Sequence, residues 1–140
     1  MYRIEKRFTL PIGHRLSKHK GRCFSIHGHN FTILVGIKAK ELNVDDMVLD
    51  FSDLKKIVSM VLDGFDHCLL LNESDKKIAD QLSDMGMRTV LVDHDPTAEK
   101  LSELLYNILE YHLTSHYSGV DMDYITVFEN ENSKATYSKE

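Results

Sequence analysis

Cys23-Phe24-Ser25-Ile26-His27-Gly28-His29-Asn30-Phe31 places a thiol, two imidazoles and a glycine within nine residues, at the mouth of a segment that reads as a strand. Side chains two apart on a strand point to the same face, with Cα atoms ~6.6 Å apart. His27 and His29 can therefore converge on one ion. Gly28 between them admits another backbone, or a substrate, on the opposite face. A catalytic zinc takes three protein ligands and keeps one position open. The third ligand has to come from elsewhere in the chain, and His14 is the best candidate.

Outward from this stretch, Phe31 to Ala39 alternates apolar and polar residues and is rich in β-branched side chains. Tyr2 to Leu10 alternates in part, so the two segments are expected to pair as a long hairpin. Pro11 and Gly13 predict a bulge or bend just before His14. Arg15 to Arg22 is a basic loop carrying Arg15, Lys18, His19, Lys20 and Arg22.

Beyond the hairpin, Leu54, Ile57, Val58, Val61 and Leu62 recur at helical spacing. Asp50 or Ser52 supplies the cap, and Gly64 ends the helix. Asp66-His67 then falls in a loop. A short helix is expected over Ser74 to Met85 and a third strand over Arg88 to Val92. Asp95-Pro96 reads as the start of a helix running to about His112, with Leu101, Leu104, Leu105, Ile108 and Leu109 inward. Tyr124 to Glu129 forms a fourth strand, and the tail through Tyr137 is ordered by pairing or packing. The order ββαβαβ predicts an α+β fold, a four-stranded antiparallel sheet with helices packed on one face.

With 140 residues, 42% hydrophobic and 28% charged, the chain suits a single domain, 1–140, with a core of its own. Two cysteines make no disulfide framework and fit a reducing, cytoplasmic setting. No apolar run approaches a membrane span, and the first residues lack a signal peptide's apolar core. A net charge of −5 argues against non-specific nucleic-acid binding.

A straight strand would set Cys23 about 13 Å from His27. A direct bond from its sulfur to the ion is then not expected unless the loop folds back, and proton transfer beside the metal suits the thiol better. An inert buried cysteine is the alternative. Cys68 is expected to be core. Asp66 can fix the tautomer of a histidine, although the side chains of neighbouring residues usually point apart. Taken alone, Glu129 beside Asn130, Glu131 and Asn132 reads as solvated surface. The basic loop can hold a triphosphate or simply be solvated.

Cys23 four residues before His27-Gly28-His29-Asn30-Phe31 resembles the 6-pyruvoyl-tetrahydropterin synthase superfamily, most closely its 6-carboxy-tetrahydropterin synthase (QueD) branch. The resemblance continues, in order, through His14-Arg15-Leu16, Leu49-Asp50-Phe51, Asp66-His67, Pro96-Thr97-Ala98-Glu99, Glu129 and Ala135-x-Tyr137. It implies the tunnelling (T-) fold and a homo-oligomer, trimer or hexamer, whose sheets join into a barrel. It also implies zinc on His14, His27 and His29. Cys23, Asp66 and His67 would form a proton relay, and Glu129, with Thr97 nearby, would hold the pterin. The implied substrate is 7,8-dihydroneopterin triphosphate, converted to 6-carboxy-5,6,7,8-tetrahydropterin with loss of triphosphate and acetaldehyde. Within the family the alternative is 6-pyruvoyl-tetrahydropterin synthase. From other classes there remain a zinc hydrolase, which needs no thiol, and a non-catalytic pterin- or zinc-binding protein.

Overall fold

The computed structural model describes residues 1–140. Strand β1 (Tyr2–His14) and strand β2 (His27–Ala39) form the expected antiparallel hairpin, in unbroken register from Tyr2 opposite Ala39 to His14 opposite His27. The bulge expected at Pro11 and Gly13 does not form. Pro11 turns its carbonyl away from β2, where it accepts from the His67 amide at 2.8 Å. Its missing N–H lies on that same side, so no bond to β2 is lost. Gly28 is where the two backbones crowd: a Cβ there would sit 3.3 Å from the Ile12 carbonyl oxygen.

The sheet has six strands rather than four. Helix α1 (Phe51–Asp63) is followed by β3 (Leu69–Asn72), helix α2 (Lys76–Asp84), β4 (Thr89–Val92), helix α3 (Ala98–His116), β5 (Asp121–Asn130) and β6 (Ser133–Tyr137). The order across the sheet is β4-β3-β1-β2-β5-β6. It is mixed rather than antiparallel, because β3 runs parallel to both β1 and β4. The unforeseen β3 is an apolar run of Leu69, Leu70 and Leu71, the pattern of a short strand covered on both faces, which periodicity cannot separate from a helix. The expected order of the tail is realised as β6, an edge strand of mostly exposed residues.

Leu10 and Ile12 of β1 and Phe31, Ile33, Val35 and Ile37 of β2 share one face and pack with Leu54 and Val58 of α1 and Leu101, Leu105 and Leu109 of α3. Burying each such side chain contributes roughly 1.5–3 kcal/mol. Asp50 caps α1 by accepting from the Ser52 amide, as expected, and Gly64 ends it. The cap of α3 is Thr97, which accepts from the Lys100 amide, rather than Asp95. The same core face runs on past Ile12 to His14, so the layer that holds the fold together ends at an imidazole.

Candidate functional site

His14, His27 and His29 meet at that end of the sheet, their ring centroids 4.5, 5.1 and 5.0 Å apart. One nitrogen of each lies within 4.8 Å of the others. The hairpin register accounts for the geometry: His14 faces His27 directly, and His29 is two residues along the same face.

His14 Nδ1 donates to the Pro96 carbonyl at 2.8 Å, and His27 Nδ1 donates to the Ser25 carbonyl at 2.8 Å. Carbonyl oxygens only accept, so both Nδ1 atoms donate, and in the neutral imidazole each Nε2 then presents a lone pair. These two Nε2 atoms face each other at 2.9 Å. Two lone pairs at that distance repel unless a proton or a metal cation lies between them, and the His29 ring, within reach of both, makes no competing hydrogen bond within the chain. The donor set therefore fits a metal ion. Burial pushes the pKa of His14 down, helped by His27 and His29 and opposed by the Pro96 carbonyl and the Glu129 carboxylate. The neutral, ligating form is thus favoured.

Cys23 is half-buried in a single 3-10 turn, Arg22–Phe24, rather than in an extended mouth of β2. The loop folds back, because the Leu16 amide donates to the Cys23 carbonyl at 2.9 Å. The metal-competent cluster nevertheless consists of the three histidines without the thiol. Cys68 is buried as expected, and burial pushes its thiol up to about 11.

Asp66 and His67 do bond directly, His67 Nδ1 donating to Asp66 Oδ1 at 2.9 Å. The general tendency of neighbours to point apart is overcome by the backbone of His67, whose φ is +58°. Few residues other than glycine adopt that conformation, and it is held here from both sides. The His67 amide donates to Pro11, and the Arg88 guanidinium donates to the carbonyls of Asp63, Gly64 and Asp66 at 2.8–3.0 Å. His67 and His27 line one cleft of about 510 Å³; His67 and His29 line a neighbouring one of about 400 Å³. No hydrogen bond joins Cys23 to Asp66 or His67.

Glu129 is the extra residue of a β-bulge: Phe128 pairs with Lys134 and Asn130 with Ser133, leaving Glu129 without a partner. Bulges re-aim a side chain, and this carboxylate lies close enough to act electrostatically on His14. Thr97 stands at the other end of the His14 contact, one residue after Pro96, with its hydroxyl engaged as the α3 cap. Lys18, Lys20 and Arg22 of the basic loop are exposed.

Asp95 has a role that its sequence context concealed. Next to Pro96 it reads as a helix cap, yet it accepts from Ser17 Oγ at 2.5 Å, the Lys18 amide at 2.9 Å and Asn72 Nδ2 at 3.0 Å. Burial works to raise its pKa, but these bonds outweigh it and hold the carboxyl at about 2. A carboxylate whose pKa is depressed on folding contributes stability above its unfolded value of about 3.9 and loses it as pH falls through the folded value. Wild type should therefore exceed Asp95→Asn in urea stability at neutral pH by about 1 kcal/mol after solvent screening. That gap should close between about pH 4 and pH 2; urea titrations across the window check it, and a constant gap would contradict it.

A family model described as 6-pyruvoyl tetrahydropterin synthase matches residues 3–140. The chain is 35% identical over 118 residues to a 6-carboxy-5,6,7,8-tetrahydropterin synthase of Haemophilus influenzae, covering 79% of this chain and 84% of that one. A Rickettsia conorii protein of the same name is 30% identical over 109 residues, 76% of this chain and 79% of that one. Among solved structures, the 6-pyruvoyl tetrahydropterin synthase of Caenorhabditis elegans aligns with a TM-score of 0.73 at 21% identity, over 99% of this chain and 96% of that one. An uncharacterized Wolinella succinogenes protein aligns at 0.84 with 20% identity, over 99% and 98%. At such identities the structural likeness bears on the fold alone, and the fold is the tunnelling one.

Proposed function

Because the chain belongs to the 6-pyruvoyl tetrahydropterin synthase family, we propose that it is a zinc-dependent lyase. In this reading it converts 7,8-dihydroneopterin triphosphate to 6-carboxy-5,6,7,8-tetrahydropterin, releasing triphosphate and acetaldehyde. The observation that carries the reading is the pair of Nε2 atoms of His14 and His27 facing each other at 2.9 Å, with His29 beside them. The named relatives favour the carboxy product over the pyruvoyl one.

His14, His27 and His29 are the residues that would hold the ion. Bound there, zinc supplies Lewis acidity beside the substrate's side-chain oxygens. Proton movement then falls to the chain's own groups. The Asp66 carboxylate keeps the proton of His67 on Nδ1, which leaves Nε2 free to take one from the substrate side chain. Cys23 Sγ serves as the second proton carrier. Glu129 accepts the parallel N–H groups of the pterin ring and its amino substituent in a fork. Thr97 contacts the ring from the N-cap of α3, and Lys18, Lys20 and Arg22 face the triphosphate.

The protein acts in this reading as a single cytoplasmic domain, 1–140, that binds neither nucleic acid nor membrane. No helix is long and apolar enough to cross a membrane. The edge strands β4 and β6 leave both sides of the sheet open, which favours assembly into a trimer or hexamer. Incubating the zinc-loaded protein with dihydroneopterin triphosphate tests the reading. Acetaldehyde in equal amount to triphosphate is the expected result. Triphosphate without acetaldehyde would assign the pyruvoyl reaction instead, and neither product would overturn both.

A further inference from the structure

We propose that Arg15 and Asp75 are a positioning pair that sets the Cys23 turn against the imidazole trio, an inference that rests on the reading of Cys23 as a proton carrier. The turn Arg22–Phe24 has no buried residue of its own, so nothing in the core fixes it. Besides its local turn bonds, it is tied to β1's end by two contacts. The Leu16 amide donates to the Cys23 carbonyl at 2.9 Å. Arg15 Nε donates to the Phe24 carbonyl at 2.8 Å, while the guanidinium lies 4.0 Å from the Phe24 ring centroid. The carbonyl of Cys23 and that of the next residue are thus gripped by two consecutive residues that follow His14 directly.

Arg15 is in turn held by Asp75, whose Oδ1 accepts from its terminal nitrogen at 2.5 Å. The two side chains are only 13% and 12% exposed, so water screens the pair little. Asp75 stands at the N-cap position of α2, where a carboxylate ordinarily accepts from the helix's own amides, yet it makes no capping bond. Its Oδ2 is buried without a partner. A carboxylate that forgoes both its helix and its second hydrogen bond is placed for Arg15 rather than for α2. Only a guanidinium can meet Asp75, the Phe24 carbonyl and the Phe24 ring face together; a lysine is a single point charge.

Arg15→Lys, Asp75→Asn and the double variant test this, with kcat, KM, zinc content and the iodoacetamide alkylation rate of Cys23 measured by peptide mass spectrometry. Each single variant is expected to keep its zinc and a KM within about threefold of wild type. Its kcat should fall about 10–100-fold, the scale of a reacting group displaced by about 1 Å. Cys23 alkylation should change several-fold. The double variant should be no worse than the worse single one, since the two side chains act as a unit. A wild-type kcat and alkylation rate in Arg15→Lys would overturn the proposal, as would additive losses in the double variant. A fall in melting temperature alone would assign a merely structural role and overturn it too. If Arg15→Lys does not fold, the near-isosteric Asp75→Asn carries the same measurements. Cys23→Ala, assayed alongside, separates the two ideas. Full turnover in that variant sinks the proton-carrier reading, and the alkylation rate, which needs no turnover, then decides alone whether the pair sets the thiol.

Discussion

Replacing Cys23 with alanine is expected to cut turnover of dihydroneopterin triphosphate by about 10²–10⁴-fold, the usual worth of a positioned proton carrier. Metal content should stay at the wild-type level. The thiol lies outside the imidazole cluster, so its removal takes nothing from the ion's ligands. It is also only half-buried, so the vacated space opens to solvent and folding should change little. Atomic absorption and steady-state kinetics on the same preparation decide the matter. An alanine variant with normal turnover would point to a hydrolytic site, in which no thiol is needed.

The second large effect concerns the metal. His29→Ala should bring turnover to background and weaken zinc binding by more than the 10–100-fold typical of losing an outer-shell partner. Among the three proposed ligands His29 suits the test best. It makes no hydrogen bond within the chain, whereas buried His14 also holds the Pro96 carbonyl and its loss would disturb packing. Chelating the wild-type protein should reproduce the kinetic loss, lower the melting temperature through lost binding energy, and be reversed by added zinc. A variant that retains both zinc and activity would remove His29 from the ligand set.

The parts of the site that were legible in the sequence are those carried by short-range periodicity. The alternation of Phe31 to Ala39 set the face of β2, and with it the convergence of His27 and His29. The apolar stripes of α1 and α3 likewise set their buried sides, although α3 runs on to His116. What escaped was held by contacts between distant residues. Leu69 to Leu71 becomes a strand only because β1 and β4 lie on either side of it. Asp95 serves Ser17 and Asn72 rather than its own helix. The Asp66–His67 bond depends on a left-handed backbone that no residue type at 66 or 67 announces. Glu129 looked like solvated surface because a bulge has no mark in the residue that forms it.

The hydrogen bond from His14 to Pro96 spans 82 positions of the chain. All three imidazoles have been synthesised by residue 29, yet the carbonyl that orients the first of them arrives only with residue 96. During translation the early hairpin therefore waits, the His14 ring unoriented, until the αβ units that follow have emerged and docked. Nascent chains stopped before Pro96 should bind the ion loosely, and lengthening them past it should mark the point at which capture becomes tight.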